Sequence, residues 1–538
     1  MLVVLLEGLD GSAPVRLRAQ EARRTVPAPA GAEAITEDQL RSYLAFIASD
    51  ALEGRLTPSR GLDTAAQFLA SHLARLGLRP AGDDGTYLQA IALTRRTLDV
   101  EKTRLAIGSR TLVYGDDFVP GERQGAARAT VVYIGNGTVV RSRGIDPYKG
   151  IDVTGKIVVS NVGLPAGLTQ ADLEGPRGKD WEPTADAAKA RGAAAVLFLP
   201  DFAALERWGT SRQSRRTRGT LTVDRFEEPG AGTPLPTATL SAHAIGLLFA
   251  GERLRAEEAF QRALRHEAAE PFALSPRTIV DLEVQATEER LSTSNVVAVL
   301  EGSDPVLKHE YVAVGAHYDH LGIARTANAE GDTIYNGADD DGSGTVGVLA
   351  MAEAFAKTSA RPKRSLLFVW HTGEEQGLWG SRYFTEHPTV PIDSIVTQLN
   401  IDMIGRGRAP GTPSPPGPLP LTDTDSLYVV GSKRLSPELG TVIADVNARY
   451  HRLHLDYSLD DPANPGQIYE RSDHYQYAKR GIPVAFFFTG VHADYHGLDD
   501  EIDRIDFTKL RRITQTIYAA ARSIADGPRR PNVEGVTR

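Results

Sequence analysis

The chain has 538 residues, 60 Lys and Arg against 69 Asp and Glu, a formal net charge of -9 and no cysteine. That length exceeds what one hydrophobic core organises, so two or more structural units are expected. The acidic balance gives no basis for nucleic-acid binding. No stretch reaches the length of a membrane-spanning helix, and without cysteine any bound metal must be held by oxygen and imidazole nitrogen.

Residues 1–35 are rich in Ala, Pro and Arg and read as a flexible lead-in or the remnant of a leader. The apolar start, residues 1–6, is too short for a signal core and is broken by Glu7. Thr36-Glu37-Asp38-Gln39 has the pattern of a capping box, opening a helix with Leu40, Leu44 and Ile47 on one face. A second helix is expected over residues 64–76, with Phe68, Leu69, Leu73 and Leu76 inward and Gly77 as its stop. Residues 36–124 are assigned to the main domain.

From 125 to 275 the pattern changes to short strands, such as 130–134 and 156–159, separated by Gly-rich turns. A helix at 186–191 there leads into a strand at 194–199. Residues 294–300 return the chain to the main domain, assigned as 276–527 with a tail at 528–538. Its strands are expected at 311–316, 366–370, 395–401 and 482–488, and its last helix carries Leu510, Ile513, Ile517 and Ile524 on one stripe. Near-continuous apolar runs alternating with helical patterns indicate an α/β fold with a mostly parallel, mixed central sheet covered by helices on both faces.

Ligands bind such sheets outside the carboxyl ends of the strands, and that is where the acidic and histidine residues fall. His317 ends the first strand, Glu374 and Glu375 follow the second after Gly373, Asp402 follows the third, and His496 lies in the loop after the fourth. Asp339 opens the run Asp339-Asp340-Asp341-Gly342-Ser343-Gly344, ahead of a helix with Val348, Met351, Ala352 and Phe355. Carboxylates at a helix start complement its dipole, but three in a row exceed what a cap needs, and a dication offsets their repulsion. One histidine and one carboxylate for each metal, with one shared carboxylate, would hold two metals and leave a glutamate free to activate water. Asp319 is spaced to accept the other ring N–H of His317. Alone, each of these pairs would read as a surface feature; together they form a functional signature. His371 is read as a pocket-wall or packing residue.

Five segments, taken in order, carry a family resemblance: Gly315-Ala316-His317-Tyr318-Asp319-His320, Asn336-Gly337-Ala338-Asp339-Asp340-Asp341-Gly342-Ser343-Gly344, Gly373-Glu374-Glu375-Gln376-Gly377, Leu399-Asn400-Ile401-Asp402-Met403-Ile404-Gly405 and Tyr495-His496-Gly497-Leu498-Asp499-Asp500. From residue 290 to about 527 the chain resembles the co-catalytic di-zinc aminopeptidases, a family that also holds glutamate carboxypeptidases and glutaminyl cyclases. The resemblance implies a phosphorylase-like zinc exopeptidase domain, with residues 125–275 similar to an inserted protease-associated domain. It implies two zinc ions per chain, one on His317 and Asp402, the other on Glu375 and His496, with Asp339 bridging. Asp319 would orient His317, and Glu374 would be the general base. Arg471-Ser472-Asp473-His474 resembles a segment near the substrate pocket. Tyr469 is placed like a tyrosine that polarises the scissile carbonyl in some members, or else is pocket wall. Gly342 departs from the alanine common in relatives, with no chemical consequence.

The implied function is zinc-dependent removal of amino-terminal residues from peptides, by a metal-bridged water with Glu374 taking its proton. Such N/O sites also accept cobalt or manganese. Peptides are the expected partners, and the resemblance implies a secreted or periplasmic location. A carboxypeptidase for acidic tails is the alternative; it would converge basic residues on the pocket, for which Arg406, Arg408 and Arg471 are candidates. A dipeptidase, a glutaminyl cyclase and a non-catalytic scaffold are further alternatives, the last two disfavoured by a complete two-metal set. The Gly- and Pro-rich stretch 408–420 is either part of the pocket or a solvated excursion. Asp499-Asp500-Glu501 either caps a helix or attracts a cationic amino terminus.

Overall fold

The strand ends singled out in the sequence lie side by side in one sheet. The computed structural model describes residues 30–169, 172–173, 175–226, 235–409, 411–414, 416–461 and 463–533. It divides into one unit of residues 1–89 and 294–538 and a second of residues 90–293.

In the first unit, strands β1 (Ala286–Leu300, of which 294–300 belong to this unit), β2 (Tyr311–His317), β3 (Ser365–His371), β4 (Ile395–Ile401), β5 (Ser426–Val430), β6 (His454–Asp456) and β7 (Val484–Phe488) are ordered β1-β3-β2-β4-β7-β5-β6. The central four, β3, β2, β4 and β7, are mutually parallel; β1 and β5 pair antiparallel with their outer members. Register aligns the functional ends. His317 sits opposite His371, and Asn400 opposite Gly315, so Asp402, two residues on, comes level with His317.

Successive strand residues point to opposite faces, and two cores record that alternation. Val312, Val314, Leu366, Phe368 and Leu399 join one with the helices α1 (Glu37–Ile47), α2 (Arg60–Arg75), α3 (Gly344–Lys357) and α7 (Phe507–Asp526). Ala313, Leu367, Val369 and Val484 join the other with Phe384 and Tyr477, from α4 (Trp379–Glu386) and α6 (His474–Ala478). Helix α5 (Pro437–Arg449) packs Leu439 and Ile443 into the first core.

The Thr36 hydroxyl accepts from the Gln39 N–H at 3.2 Å, as the capping pattern requires. Helix α2 begins four residues before the expected 64, because Ser59 caps it by accepting from the Leu62 N–H. Of the lead-in expected over residues 1–35, Ala32 and Ile35 belong to the folded unit: both are buried, and the Gln515 side chain donates to both of their carbonyls. Residues 1–29 lie outside the described residues.

The second unit has its own sheet, in which Gly125–Asn136, Ile157–Asn161, Ala195–Leu199 and Thr237–Leu240 run parallel. It is wider than the expected 125–275. Arg104–Ile107 and Ile279–Val284 pair with each other in that sheet, and Leu105, Val280 and Leu282 belong to its core. The helix expected at 186–191 is Thr184–Ala190. Among the described residues no helix is long and apolar enough to cross a membrane.

Candidate metal centre

Two groups of side chains of the kinds that ligate metals meet at the carboxyl ends of the parallel strands, and they share one residue. His317, Asp340 and Asp402 form the first, and His320, Asp340 and Glu375 the second; in each, the candidate ligand atoms lie within 4.8 Å of one another. His496 closes the second, its Nε2 being 3.2 Å from Asp340 Oδ2 and 3.3 Å from Glu375 Oε2. His317 Nε2 is 3.3 Å from Asp340 Oδ1 and 3.7 Å from Asp402 Oδ1. Two atoms each about 2.0–2.1 Å from one tetrahedral zinc stand about 3.3–3.4 Å apart, so these separations fit shared coordination. The buried Nε2 of His317 has no hydrogen-bond partner, an orphaned lone pair that a cation would satisfy.

Asp339 was expected to bridge the two metals; the aspartate that the two groups share is Asp340. The reason lies in how the loop satisfies its backbone. Asp339 Oδ1 accepts from the Gly405 N–H at 2.6 Å, and its Oδ2 faces His492, 3.5 Å away. Asp341 accepts from the N–H groups of His317, Gly344 and Met403. Both outer carboxylates therefore staple main chain, and the middle one faces the histidines. Asp500 fixes the loop from below, accepting from the N–H groups of Asp339 and Asp340; this is a capping role, as opposed to attraction of a free amine.

Burial opposes the charged form of Asp340, but the neighbouring His317, His496 and His320 imidazoles outweigh it, holding its carboxyl well below the usual range. Burial lowers His496 too, yet Asp340 and Glu375 raise it to about 10. Glu374 is pushed well above the ordinary carboxylate range by burial, which the His317 charge opposes and the negative charges of Asp402, Asp473 and Glu375 reinforce. A carboxyl so shifted can both take and return a proton.

Asp319 links the pieces. Its Oδ1 accepts from the Glu374 N–H at 3.1 Å and lies 3.7 Å from His317 Nδ1, while its backbone carbonyl is nearer that nitrogen, at 3.2 Å. Asp402 is steadied by the Ser472 hydroxyl at 2.7 Å, itself an acceptor from the Asn400 amide. His371 is a packing residue, with Asp473 3.3 Å from Nδ1 and the Tyr477 hydroxyl 3.0 Å from Nε2.

A cleft opens beside this centre, lined by His317, Asp340, Glu374, Asp402 and His496 on its polar side. Met403, Leu419, Ile468, Phe486, Phe488 and Val491 form an apolar wall, and Leu419 brings the stretch 408–420 into the pocket. Tyr469 is not among the lining side chains: its ring packs against His474 and Tyr475, with Arg434 over its face. Tyr495, stacked on His496 at 3.9 Å, lines the cleft instead. Of the three arginines considered, Arg406 is held by Asp494 at 2.5 Å and Arg408 by Asp423 at 3.0 Å; only Arg471 lines the cleft.

Residues 295–521 match the family described as Peptidase family M28. Over 215 residues, 39% of this chain, it is 33% identical to probable leucine aminopeptidase 2 of Aspergillus oryzae, covering 36% of that protein. It is 30% identical over 292 residues to a probable zinc metalloprotease of Pyricularia oryzae, covering 47% of this chain and 54% of the relative. The matches thus span about a third to a half of these relatives' length. The solved aminopeptidase of Aneurinibacillus sp. strain AM-1 aligns with 94% of this chain and 98% of its own, at a TM-score of 0.52 and 17% identity, a likeness of fold.

Proposed function

We propose that this chain, which carries a Peptidase family M28 domain over residues 295–521, is a zinc-dependent aminopeptidase that hydrolyses amino-terminal residues from peptides. The observation that carries the reading is Asp340, whose two oxygens reach the histidines of two separate ligand groups within one cleft that also holds Glu374. His317 and Asp402 would hold one zinc, Glu375 and His496 the other, and Asp340 both. When bound, such a pair supplies Lewis acidity toward a carbonyl oxygen and lowers the pKa of water.

The chain's own groups do the rest. Glu374 takes a proton from the attacking water and returns it to the leaving amine. Asp319 holds the Glu374 main chain and His317 in one frame, and Ser472 does the same for Asp402. The apolar wall from Met403 to Val491 receives an apolar first side chain and excludes water from it. Acidic carboxyl-terminal tails require several converging cations; among the described residues Arg471 is the one arginine or lysine lining the cleft, and Arg406 and Arg408 are engaged in ion pairs. The second unit is read as a protease-associated domain, supported by its β-rich core and the step from Thr184–Ala190 into Ala195–Leu199. A secreted or periplasmic location belongs to the same reading.

The test compares hydrolysis of leucine p-nitroanilide with that of its N-acetylated counterpart, with and without a chelator. Cleavage of the free-amine compound alone, abolished by the chelator, is the expected result. No cleavage of either by protein shown to hold two zinc ions would sink the aminopeptidase reading.

A further inference from the structure

His320 is fully buried and its ring lies within reach of the second group's carboxylates, yet the proposed two-metal scheme does not use it as a ligand. Its Nδ1 lies 2.8 Å from Glu375 Oε1 and 3.9 Å from Asp340 Oδ2. The shorter separation is a hydrogen-bond distance, well inside the edge of about 3.3–3.4 Å that two ligands of one tetrahedral zinc would show. His496 Nε2, by contrast, keeps 3.2 and 3.3 Å from its two carboxylate neighbours. The two histidines therefore differ in kind: His496 stands as a co-ligand of Glu375, and His320 as a donor to it.

We propose that His320 is a positioning residue for the second metal: its Nδ1–H holds Glu375 Oε1, so that Oε2 is presented toward the ion alongside Asp340 and His496. This rests on the two-zinc reading above. The ring is set by its surroundings. The His320 N–H donates to the Arg55 carbonyl. The buried Arg55 guanidinium donates in turn to the carbonyls of Ile47, Tyr318, Asn336 and Gly337, clamping the loops on either side. Gly337 is at φ 54°, and a Cβ there would lie 2.5 Å from the His320 ring, so the glycine leaves the space the imidazole fills. With the proton on Nδ1, the buried Nε2 carries a lone pair without a protein partner. A partner that orients a ligating carboxylate governs metal affinity through the geometry it imposes.

Zinc binding to the apoprotein, followed by competition with a chromogenic chelator, separates the two sites. His320→Ala should weaken one of the two binding steps by about 10–100-fold and leave the other at its wild-type value. His320→Asn places an amide N–H near the Nδ1 position and should restore the weakened step to within several-fold of wild type. Unchanged affinities in His320→Ala would overturn the proposal, as would equal losses in the Ala and Asn variants, which would mark mere packing. A wild-type protein that takes up fewer than two zinc ions would instead overturn the two-zinc reading on which this one stands.

Discussion

Glu374→Gln should lower kcat on a leucine anilide by about 10²–10⁴-fold, the contribution typical of a positioned general base, while zinc content and KM stay near wild type. The side chain lines the cleft, but it belongs to neither ligand group. Its place is set through the main chain, where the Glu374 N–H donates to Asp319. Glutamine keeps that bond and the side-chain volume and removes only the ability to take a proton. The direction of the pH effect follows from the group's chemistry: a base must be ionised to act, so wild-type kcat/KM should fall as pH drops through the Glu374 pKa, which burial raises. The variant should lack that acidic limb. Loss of zinc in Glu374→Gln, measured by metal analysis, would show that the residue holds metal and would contradict the assignment.

Asp340→Asn and Asp339→Asn should part company by a wide margin. Asp340 is the carboxylate shared by the two groups, so its amide should lower affinity for both metals by more than the roughly 100-fold upper end seen for outer partners of a ligand, and activity should fall with it. Asp339 accepts from the Gly405 N–H and faces His492. Its amide keeps an oxygen to accept from that N–H, so it should leave two zinc ions bound and cost about 1 kcal/mol of folding stability, the difference between a charged and a neutral acceptor. Metal analysis and denaturant titration of the two variants check both halves. Equal zinc loss in both would remove the distinction between the neighbours.

That distinction also marks how far the chain was legible. The strands carrying His317, Glu374, Glu375 and Asp402 could be read because their near-continuous apolar runs suit a sheet buried on both faces, and register then places their ends together. Which of three adjacent aspartates faces the centre could not be read. The answer depends on which backbone N–H groups the loop leaves unsatisfied, namely those of Gly405, Met403 and Gly344, and residue type does not encode that. His320 was missed because it lies past the strand end, in a loop whose fold Arg55 and Gly337 impose from distant parts of the chain. Its spacing of three from His317 was the available signal. Tyr469 lies off the cleft lining for a related reason: its ring packs against His474 with Arg434 over its face, while Tyr495, adjacent to His496, lines the cleft. The second unit begins earlier than its composition suggested because strands near residues 104 and 279, far apart in sequence, complete one sheet.

The most direct measurement is anomalous diffraction at the zinc edge from crystals of the zinc-loaded protein. Two peaks are expected, one against His317 and Asp402 and one against Glu375 and His496, with the Asp340 carboxylate between them. A single peak, or two peaks bridged by Asp339, would contradict the account.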